Sequence, residues 1–180
     1  MQRLWALLGS LVFFAIAPGT VVGLVPWWIT GWQLKPALLG NDATRAVGLV
    51  MIVVGLIPLL SSFLRFAWDG LGTPAPIAPP KHLVVTGFYR RVRNPIYLAL
   101  LILLLGEALF FADGRVAEWA LIFWLGTFVV VLAYEEPTLR RLFGEEYRIY
   151  CQNVPRWIPR LRPGRQSDRQ AEHLRSSCSK

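Results

Sequence analysis

Four long apolar segments constrain the fold of this chain more than any other feature. They are Leu4–Ile29, Val47–Phe66, Ile96–Ala112 and Val116–Tyr134. A membrane-spanning helix needs about 20 predominantly apolar residues, with a range of about 17–25. Of the 180 residues, 54% are hydrophobic and only 17% are charged, which is more apolar surface than a water-soluble domain of this length can bury. The sequence therefore predicts an all-α integral membrane protein with about four transmembrane helices.

Positive charge is unevenly distributed, and this distribution predicts the topology. Basic residues concentrate in the connection from Lys81 to Arg93 and in the tail from Arg140 onward. The first region includes an arginine cluster, Arg90, Arg91 and Arg93. The positive-inside rule assigns both regions to the cytoplasm, and four spans then bring the N-terminus to the same side as the C-terminus. Four tryptophans are expected at the outer interface: Trp27, Trp28, Trp32 and Trp119.

The pattern divides the chain into three regions. Residues 1–69 are predicted to form an N-terminal transmembrane hairpin, and residues 70–162 a catalytic and cofactor-binding region with two further transmembrane helices. Residues 163–180 form a polar tail that is expected to be disordered. In the first region, Pro18 and Gly19 predict a tilt, kink or split of the first helix. Gly48 and Gly55 indicate close helix packing.

The segment after the fourth span is predicted to be an amphipathic helix. Pro137 is expected to break the backbone where the chain leaves the membrane. Beyond it, apolar residues recur at helical spacing: Leu139, Phe143, Tyr147 and Tyr150. This face favours a helix that lies on the bilayer and also covers a site at the cytoplasmic face. Gly144 weakens the prediction in the middle of the segment.

Two adjacent acids, Glu135 and Glu136, follow the fourth span. The carboxyl end of a helix already carries partial negative charge, and the cytoplasmic leaflet is anionic, so both acids are electrostatically disfavoured there. A compensating cation is therefore expected. It is either a side chain, from Arg140 or the arginine cluster, or a cationic group of a bound ligand.

The third and fourth predicted helices are joined by the short turn "ADGR", so they must be antiparallel neighbours. The start of one and the end of the other then share a membrane face, which brings Arg93 and Asn94 opposite the two acids. Two aromatic side chains join this crevice, Tyr89 and Tyr97. Both signs of charge beside aromatic rings suit a zwitterionic ligand such as S-adenosylmethionine, which has a carboxylate, an ammonium, a sulfonium and an adenine. No glycine-rich loop follows a strand, so a Rossmann site is not predicted.

Two blocks of sequence carry a family resemblance. The first is "HLVVTGFYRRVRNPIYLA", and the second, beginning at Glu135, is "EEPTLRRLFGEEYRIYCQNVP". Together they resemble the isoprenylcysteine carboxyl methyltransferase family and its wider membrane superfamily, which includes phospholipid methyltransferases. The resemblance extends from His82 to Pro159, which is under half of the chain.

The resemblance implies S-adenosylmethionine as cofactor and no metal. It implies cofactor-binding roles for His82, Val84, Gly87, Tyr89, Arg93, Asn94, Pro95, Tyr97, Glu135 and Glu136. Catalytic roles are expected for Glu136 and for Arg156, which would point toward a substrate carboxylate. Asn94 stands where histidine is usual, and an amide cannot titrate. Ala99 stands where glycine is usual, so helix packing or access for adenine can differ.

These observations predict methylation of a lipid-like or isoprenoid-linked acceptor, with a carboxylate favoured, at the cytoplasmic face of the bilayer. One alternative is N-methylation of a phospholipid head group. Another is a non-enzymatic membrane protein whose arginine cluster binds anionic lipid. No nucleic-acid partner is expected, and the oligomeric state stays open. Glu107 lies in the third span, where it either has a function or extends its carboxylate to the interface.

Overall fold

The computed structural model describes residues 2–36, 42–69 and 83–160. Six α-helices are present in these ranges: α1 Gln2–Gly19, α2 Val25–Thr30, α3 Ala43–Asp69, α4 Pro95–Phe111, α5 Gly114–Val130 and α6 Glu136–Asn153. A π-helical segment, Thr20–Leu24, joins α1 to α2, and another, Val131–Glu135, joins α5 to α6. A 3-10 turn, Gly87–Arg90, precedes α4. The described ranges hold no strand, which confirms the all-α prediction.

Three predictions fall on residues outside the described ranges. They concern His82, the stretch 74–80, whose prolines predict an extended conformation, and the tail 163–180, which is predicted to be disordered.

Three helical stretches are long and apolar enough to cross a membrane. They are Leu11–Thr30, Ala43–Arg65 and Gly114–Asn153, the last of which runs through α5, the second π segment and α6. The third predicted span, Ile96–Ala112, corresponds to α4, which is apolar but has 17 residues, at the lower end of the spanning range. Its length is fixed by Pro95 at the start and by the left-handed residue Ala112 at the end.

Close contact between α3 and α4 confirms the packing predicted from the glycine spacing. A Cβ atom added to Gly48 would lie 2.6 Å from the carbonyl oxygen of Gly106, and one added to Gly106 would lie 2.8 Å from the carbonyl oxygen of Gly48. One added to Gly55 would lie 2.9 Å from Leu103 and 3.2 Å from the carbonyl oxygen of Ala99. The two backbones therefore approach as closely as glycine allows, as in membrane helix pairs with small residues at the interface.

The turn between α4 and α5 is organised by one buried acid. Asp113 is 2% exposed, and its carboxylate accepts from the backbone N–H and the guanidinium of Arg115, at 3.1 and 2.8 Å. Lys35 lies 2.8 Å from the same carboxylate. Hydrogen bonding to Arg115 lowers the pKa of Asp113 well below its usual range, so the residue stays ionised as it caps α5. This turn makes α4 and α5 antiparallel neighbours, as predicted.

Each π-helical segment is followed by an α-helix whose second residue is a proline. In the first, the N–H of Val25 donates to the carbonyl of Thr20, five residues earlier. Pro26 has no N–H, so the carbonyl of Val21 receives no backbone donor from that turn. The indole N–H of Trp119 donates to this carbonyl instead, at 3.0 Å. The second segment repeats the arrangement, with Glu136 donating to Val131 ahead of Pro137.

The prediction that Pro137 breaks the backbone was wrong. Helical structure continues through Pro137, because the π segment shifts the hydrogen-bond register and places this proline at the second residue of α6. The interruption lies at Gly144, whose φ of 48° and ψ of −118° are non-helical. The predicted apolar face is confirmed, since Tyr147 and Tyr150 are buried in one cluster, with Leu139 and Phe143 packed against it. Similarly, the first helix is not split at Pro18 but continues into the π segment.

We predict that Gly48→Ala lowers the free energy of unfolding by about 1–3 kcal/mol, because the added methyl group overlaps the backbone of α4. The measurement is reversible unfolding in mixed detergent micelles. Gly126→Ala is the matched control, since nothing lies within 4 Å of a Cβ at this helical glycine, and its stability should be unchanged or higher. Equal stability of the two variants would contradict the close approach of α3 and α4.

Candidate functional site

A cavity of about 190 Å³ lies among α1, α3, α4 and α5. Its polar lining residues group around Glu135, which Tyr97 contacts and which lies near Tyr89, and we call this region the polar end and the remaining lining the apolar end. The polar end is lined by residues that were predicted from sequence: Tyr89, Arg93, Asn94, Pro95, Tyr97 and Glu135. The apolar end is lined by residues that were not predicted as site residues: Phe13, Ala17, Pro18, Val21, Phe63, Ile96, Leu100 and Phe123. Leu139 also lines the cavity, and it packs against the cluster of Tyr147 and Tyr150. The structure thus brings six of the predicted site residues together around one space.

Glu135 is the acidic residue among those that line this cavity. The hydroxyl of Tyr97 donates a hydrogen bond to its carboxylate. Among the described residues, Glu135 makes no ion pair, although it is partly buried. A carboxylate in this state can accept further hydrogen bonds or neutralise a cation that enters the cavity.

Glu136 has a different environment from its neighbour. It is 5% exposed, and its carboxylate is bound by Arg156 at 2.6 and 2.9 Å and by Arg93 at 2.8 Å. Arg140 lies further away, at 3.6 Å. The expected compensation by Arg140 and the arginine cluster is therefore present for Glu136, together with Arg156. Neither Glu136 nor Arg156 is among the residues that line the cavity.

The π segment explains why the two acids differ. On the long helix, the buried positions Ala120, Thr127 and Val131 are separated by seven and four residues, as expected for one face of an α-helix. The next buried residue is Glu136, five positions after Val131, and this step crosses the π segment. Because the π turn contains one extra residue, the buried face of the helix continues at Glu136 and not at Glu135. Glu135 therefore lies beside this face, at the cavity.

Arg93 connects the ion cluster to the cavity. Its Nη1 donates to Glu136 and lies 3.1 Å from the sulfur of Cys151, and its backbone N–H donates to the carbonyl of Pro155 at 2.9 Å. Its Nε is buried and has no partner among the described residues. A donor of this kind is costly to leave unpaired, so it marks a position where an acceptor group of a ligand would be stabilised.

Tyr89 is buried, and its backbone is held by a hydrogen bond from α6. It is 8% exposed, and its carbonyl accepts a hydrogen bond from the hydroxyl of Tyr150 at 2.8 Å. Burial, with the nearby charge of Glu135, raises the pKa of the Tyr89 phenol well above its usual range. The phenol is therefore neutral, and it offers an aromatic surface rather than a base.

Asn94 attaches the segment after α6 to the start of α4. Its amide donates to the carbonyl of Arg156 at 3.2 Å, and the backbone N–H of Arg160 donates to the carbonyl of Arg91 at 3.0 Å. Hydrogen bonding to Glu136 raises the pKa of Arg156, which stays charged. The amide that replaces the usual histidine is therefore used as a hydrogen-bond donor to the backbone. Ala99 is fully buried beside Gly55 of α3, and it is not among the residues that line the cavity.

Two further predicted residues lie outside the cavity lining. Val84 is 5% exposed. Gly87 has a φ of 58°, and a Cβ added there would collide with the side chain of Arg65 on α3. Both lie in the segment that leads to Tyr89, so their position is compatible with a supporting role.

The lining contributed by α1 was missed from the sequence. Phe13, Ala17 and Val21 are apolar residues in an apolar span, so their composition does not distinguish a cavity wall from a lipid-facing surface. The available signal was the pair of prolines, Pro18 and Pro26, which flank a departure from regular helix.

We predict that Glu136→Gln lowers the free energy of unfolding by about 3–5 kcal/mol, because it leaves the guanidinium groups of Arg93 and Arg156 without their counter-charge. Glu145→Gln is the matched control: Glu145 pairs with Arg148 at 2.6 Å, but both side chains are 63% exposed, so little change is expected. Unfolding in detergent measures both. Indistinguishable stabilities would show that the Glu136 cluster does not hold the fold.

Comparison with known proteins agrees with the family resemblance. A family model described as phospholipid methyltransferase matches residues 43–146, more than half of the chain. Protein-S-isoprenylcysteine O-methyltransferase B from Arabidopsis thaliana is 29% identical over 136 residues, which cover 74% of this chain and 60% of the relative. Methanethiol S-methyltransferase from Pseudomonas deceptionensis is 30% identical over 167 residues, which cover 84% of this chain and 61% of the relative.

The chain spans about three fifths of the length of these curated relatives. No solved structure matches it. The matched region contains the whole polar end of the cavity, from Tyr89 to Glu135. The resemblance predicted from the two sequence blocks is confirmed, and the chain belongs to the phospholipid methyltransferase family, within the membrane superfamily that also includes isoprenylcysteine methyltransferases.

Proposed function

We propose that this protein is a membrane methyltransferase that uses S-adenosylmethionine and acts on an apolar, lipid-like acceptor. The observation that carries the proposal is the polar end of the cavity, where Glu135 has no ion pair among the described residues and Arg93 has a buried, unpartnered Nε. A cavity that offers one unneutralised acid and one unused guanidinium donor suits a ligand that carries both signs of charge.

The residues present fit this cofactor. Arg93 would donate to its carboxylate, since its Nε is the free donor. Glu135 would accept from its ammonium or ribose hydroxyls and would favour a nearby positive charge. Tyr89 and Tyr97 offer aromatic surfaces for the adenine or the sulfonium. Val84, Gly87 and Pro95 would shape the segment that presents Arg93, and His82 keeps the role implied by the resemblance.

The main task of the side chains in methyl transfer is to align the acceptor with the methyl group. When bound, the cofactor supplies a methyl group on a positively charged sulfur, and transfer to an acceptor lone pair returns the S–C bonding electrons to that sulfur as a neutral thioether. The apolar wall excludes water and brings the acceptor into line with the methyl group. If the acceptor is protonated, Glu135 is the carboxylate that lines the cavity and can receive the proton.

Glu136 and Arg156 contribute through Arg93 in this proposal. Their bidentate pair forms one side of the cluster that also binds Nη1 of Arg93. The guanidinium of Arg156 is occupied by Glu136, so it orients Arg93 rather than offering a free charge to a substrate. Glu136 and Arg156 are therefore assigned to the reaction as positioning residues.

The acceptor is the part of the proposal with more than one candidate. An isoprenoid-linked carboxylate follows from the sequence blocks and from the Arabidopsis relative, whereas the description of the family favours a phospholipid amine. A small thiol is favoured by the bacterial relative. Incubating membranes with methyl-labelled cofactor, and then separating lipid, protein and volatile fractions, assigns the label to one of the three. Label in none of the fractions would contradict a methyltransferase.

We propose that the polar end of the cavity faces the cytoplasm, because basic residues flank it on both sides. A cysteine introduced at Arg91, which is exposed, should react with a membrane-impermeant reagent only from the cytoplasmic side of sealed vesicles. Reaction from the opposite side would reverse the orientation.

We predict that Glu135→Gln weakens binding of S-adenosylmethionine about tenfold to hundredfold, because the variant loses the charge that the cofactor's cationic groups contact. Arg93→Lys should weaken it comparably, because lysine cannot reproduce the guanidinium geometry. Calorimetry on detergent-purified protein measures both, and Glu145→Gln is the control that should bind normally.

Unchanged affinity in Glu135→Gln and Arg93→Lys together would overturn the proposal. It would favour the non-enzymatic alternative, in which a basic surface binds anionic lipid, lysine replaces arginine freely and the glutamates are dispensable.

A further inference from the structure

We propose that α1 and the π segment that follows it select the acceptor: Phe13, Ala17, Pro18 and Val21 form the wall against which an alkyl group of the acceptor packs, and Ala17 limits the size of that group. This inference rests on the proposed function, which assigns the polar end of the same cavity to the cofactor. It adds that the acceptor carries an alkyl group, and it names the residues that recognise this group.

The first step is the division of the cavity by polarity. The charged residues of the lining are Arg93 and Glu135. Tyr97 donates to Glu135, Tyr89 lies near the same carboxylate, and Arg93 and Asn94 are within four residues of Tyr97, so the polar lining residues lie together. The cofactor's carboxylate, ammonium and hydroxyls need these groups, since a buried polar group without a partner is costly. The wall that remains for the acceptor is apolar on all sides, with α1 facing Phe63, Leu100 and Phe123. A hydrocarbon group is the chemistry that such a wall binds.

The second step is that the α1 wall is fixed by a hydrogen bond from another helix. Val21 lies in the π segment, and its carbonyl accepts the indole N–H of Trp119 on α5 at 3.0 Å. Pro26 has no N–H with which to serve this carbonyl. Trp119 therefore holds the π segment at the depth at which Val21 lines the cavity. This tryptophan was expected at the outer interface for its aromatic ring, but its N–H has this separate use.

The third step concerns which part of the chain the family shares. The family model matches residues 43–146, which include the cofactor end but not α1. Relatives of this chain are named for different acceptors, an isoprenylcysteine and methanethiol. If the cofactor and the acceptor contact different helices, substitutions on the acceptor's helix can change the acceptor without loss of the cofactor site.

The fourth step identifies Ala17. It has the smallest side chain among the residues that line the cavity, and it lies one helical turn from both Phe13 and Val21. Lengthening it to leucine extends three more carbons into the space beside these two residues. Discrimination by one methylene in an apolar pocket is about tenfold or more, so a change of this size is readily measured.

The test uses three graded series of acceptors, n-alkanethiols, alkyl carboxylates and alkylamines, with methyl-labelled S-adenosylmethionine and the full chain in lipid nanodiscs. The wild type should methylate at least one series with an optimum chain length. Ala17→Leu should shift this optimum to shorter chains and lower kcat/KM for the wild-type optimum by about tenfold or more, with unchanged affinity for S-adenosylmethionine. Ala15→Leu is the matched control, because Ala15 is exposed on the same helix, and its profile should equal that of the wild type.

A second variant tests the wall without filling the cavity. Trp119→Phe keeps an aromatic ring but removes the donor to Val21, so longer chains should be accepted, again with unchanged cofactor affinity. Trp28→Phe, at a position that is 82% exposed, is its control.

Each outcome decides. An unaltered chain-length profile in both Ala17→Leu and Trp119→Phe overturns the inference, and so does weaker cofactor binding in Ala17→Leu, which would assign this wall to the cofactor. Normal cofactor binding with transfer to none of the three series overturns the alkyl acceptor alone. Failure of the wild type to bind S-adenosylmethionine overturns the proposed function itself.

Discussion

The ion cluster around Glu136 is the interaction on which the rest of the site depends. One buried carboxylate is shared by Arg93, immediately before α4, and Arg156, in the segment after α6. Residues from two distant parts of the sequence are thereby fixed relative to each other at the polar end of the cavity. Such a cluster is stable only when its hydrogen bonds are made, because burial of a charge without its partner is costly. Two further hydrogen bonds join the same two segments, from the N–H of Arg93 to the carbonyl of Pro155 and from the amide of Asn94 to the carbonyl of Arg156.

This cluster also separates the roles of two adjacent acids. Glu136 is paired with arginines within the protein, whereas Glu135 lies at the cavity and accepts one hydrogen bond, from Tyr97. A ligand with a cationic group would meet Glu135 without having to displace an arginine from it. The sequence left open whether arginine side chains or a cationic ligand compensate the charge of the two acids. Arginine side chains compensate Glu136, and we propose that a cationic ligand compensates Glu135.

Much of this arrangement could be predicted from sequence, for identifiable reasons. Helix lengths follow from apolar runs, and the meeting of Arg93 with Glu136 follows from a short turn that forces α4 and α5 to be antiparallel. The glycine contacts of α3 followed from spacing alone. The wall formed by α1 could not be predicted, since an apolar residue facing a cavity and one facing lipid look the same. The partition of the two glutamates was also hidden, because it depends on a π turn that shifts the buried face by one residue.

The two π segments explain why the cavity lies where it does. In each, a proline removes the donor that a regular turn would have used, and the backbone accommodates one extra residue. One segment brings Val21 to the apolar wall and the other brings Glu135 to the polar end, so both ends depend on a departure from α-helical geometry. Regular helices would pack side chain against side chain along their whole length and leave little space between them. Prolines that follow two π turns, rather than any gap in the apolar sequence, are therefore the feature that allows a membrane bundle this small to enclose a cavity.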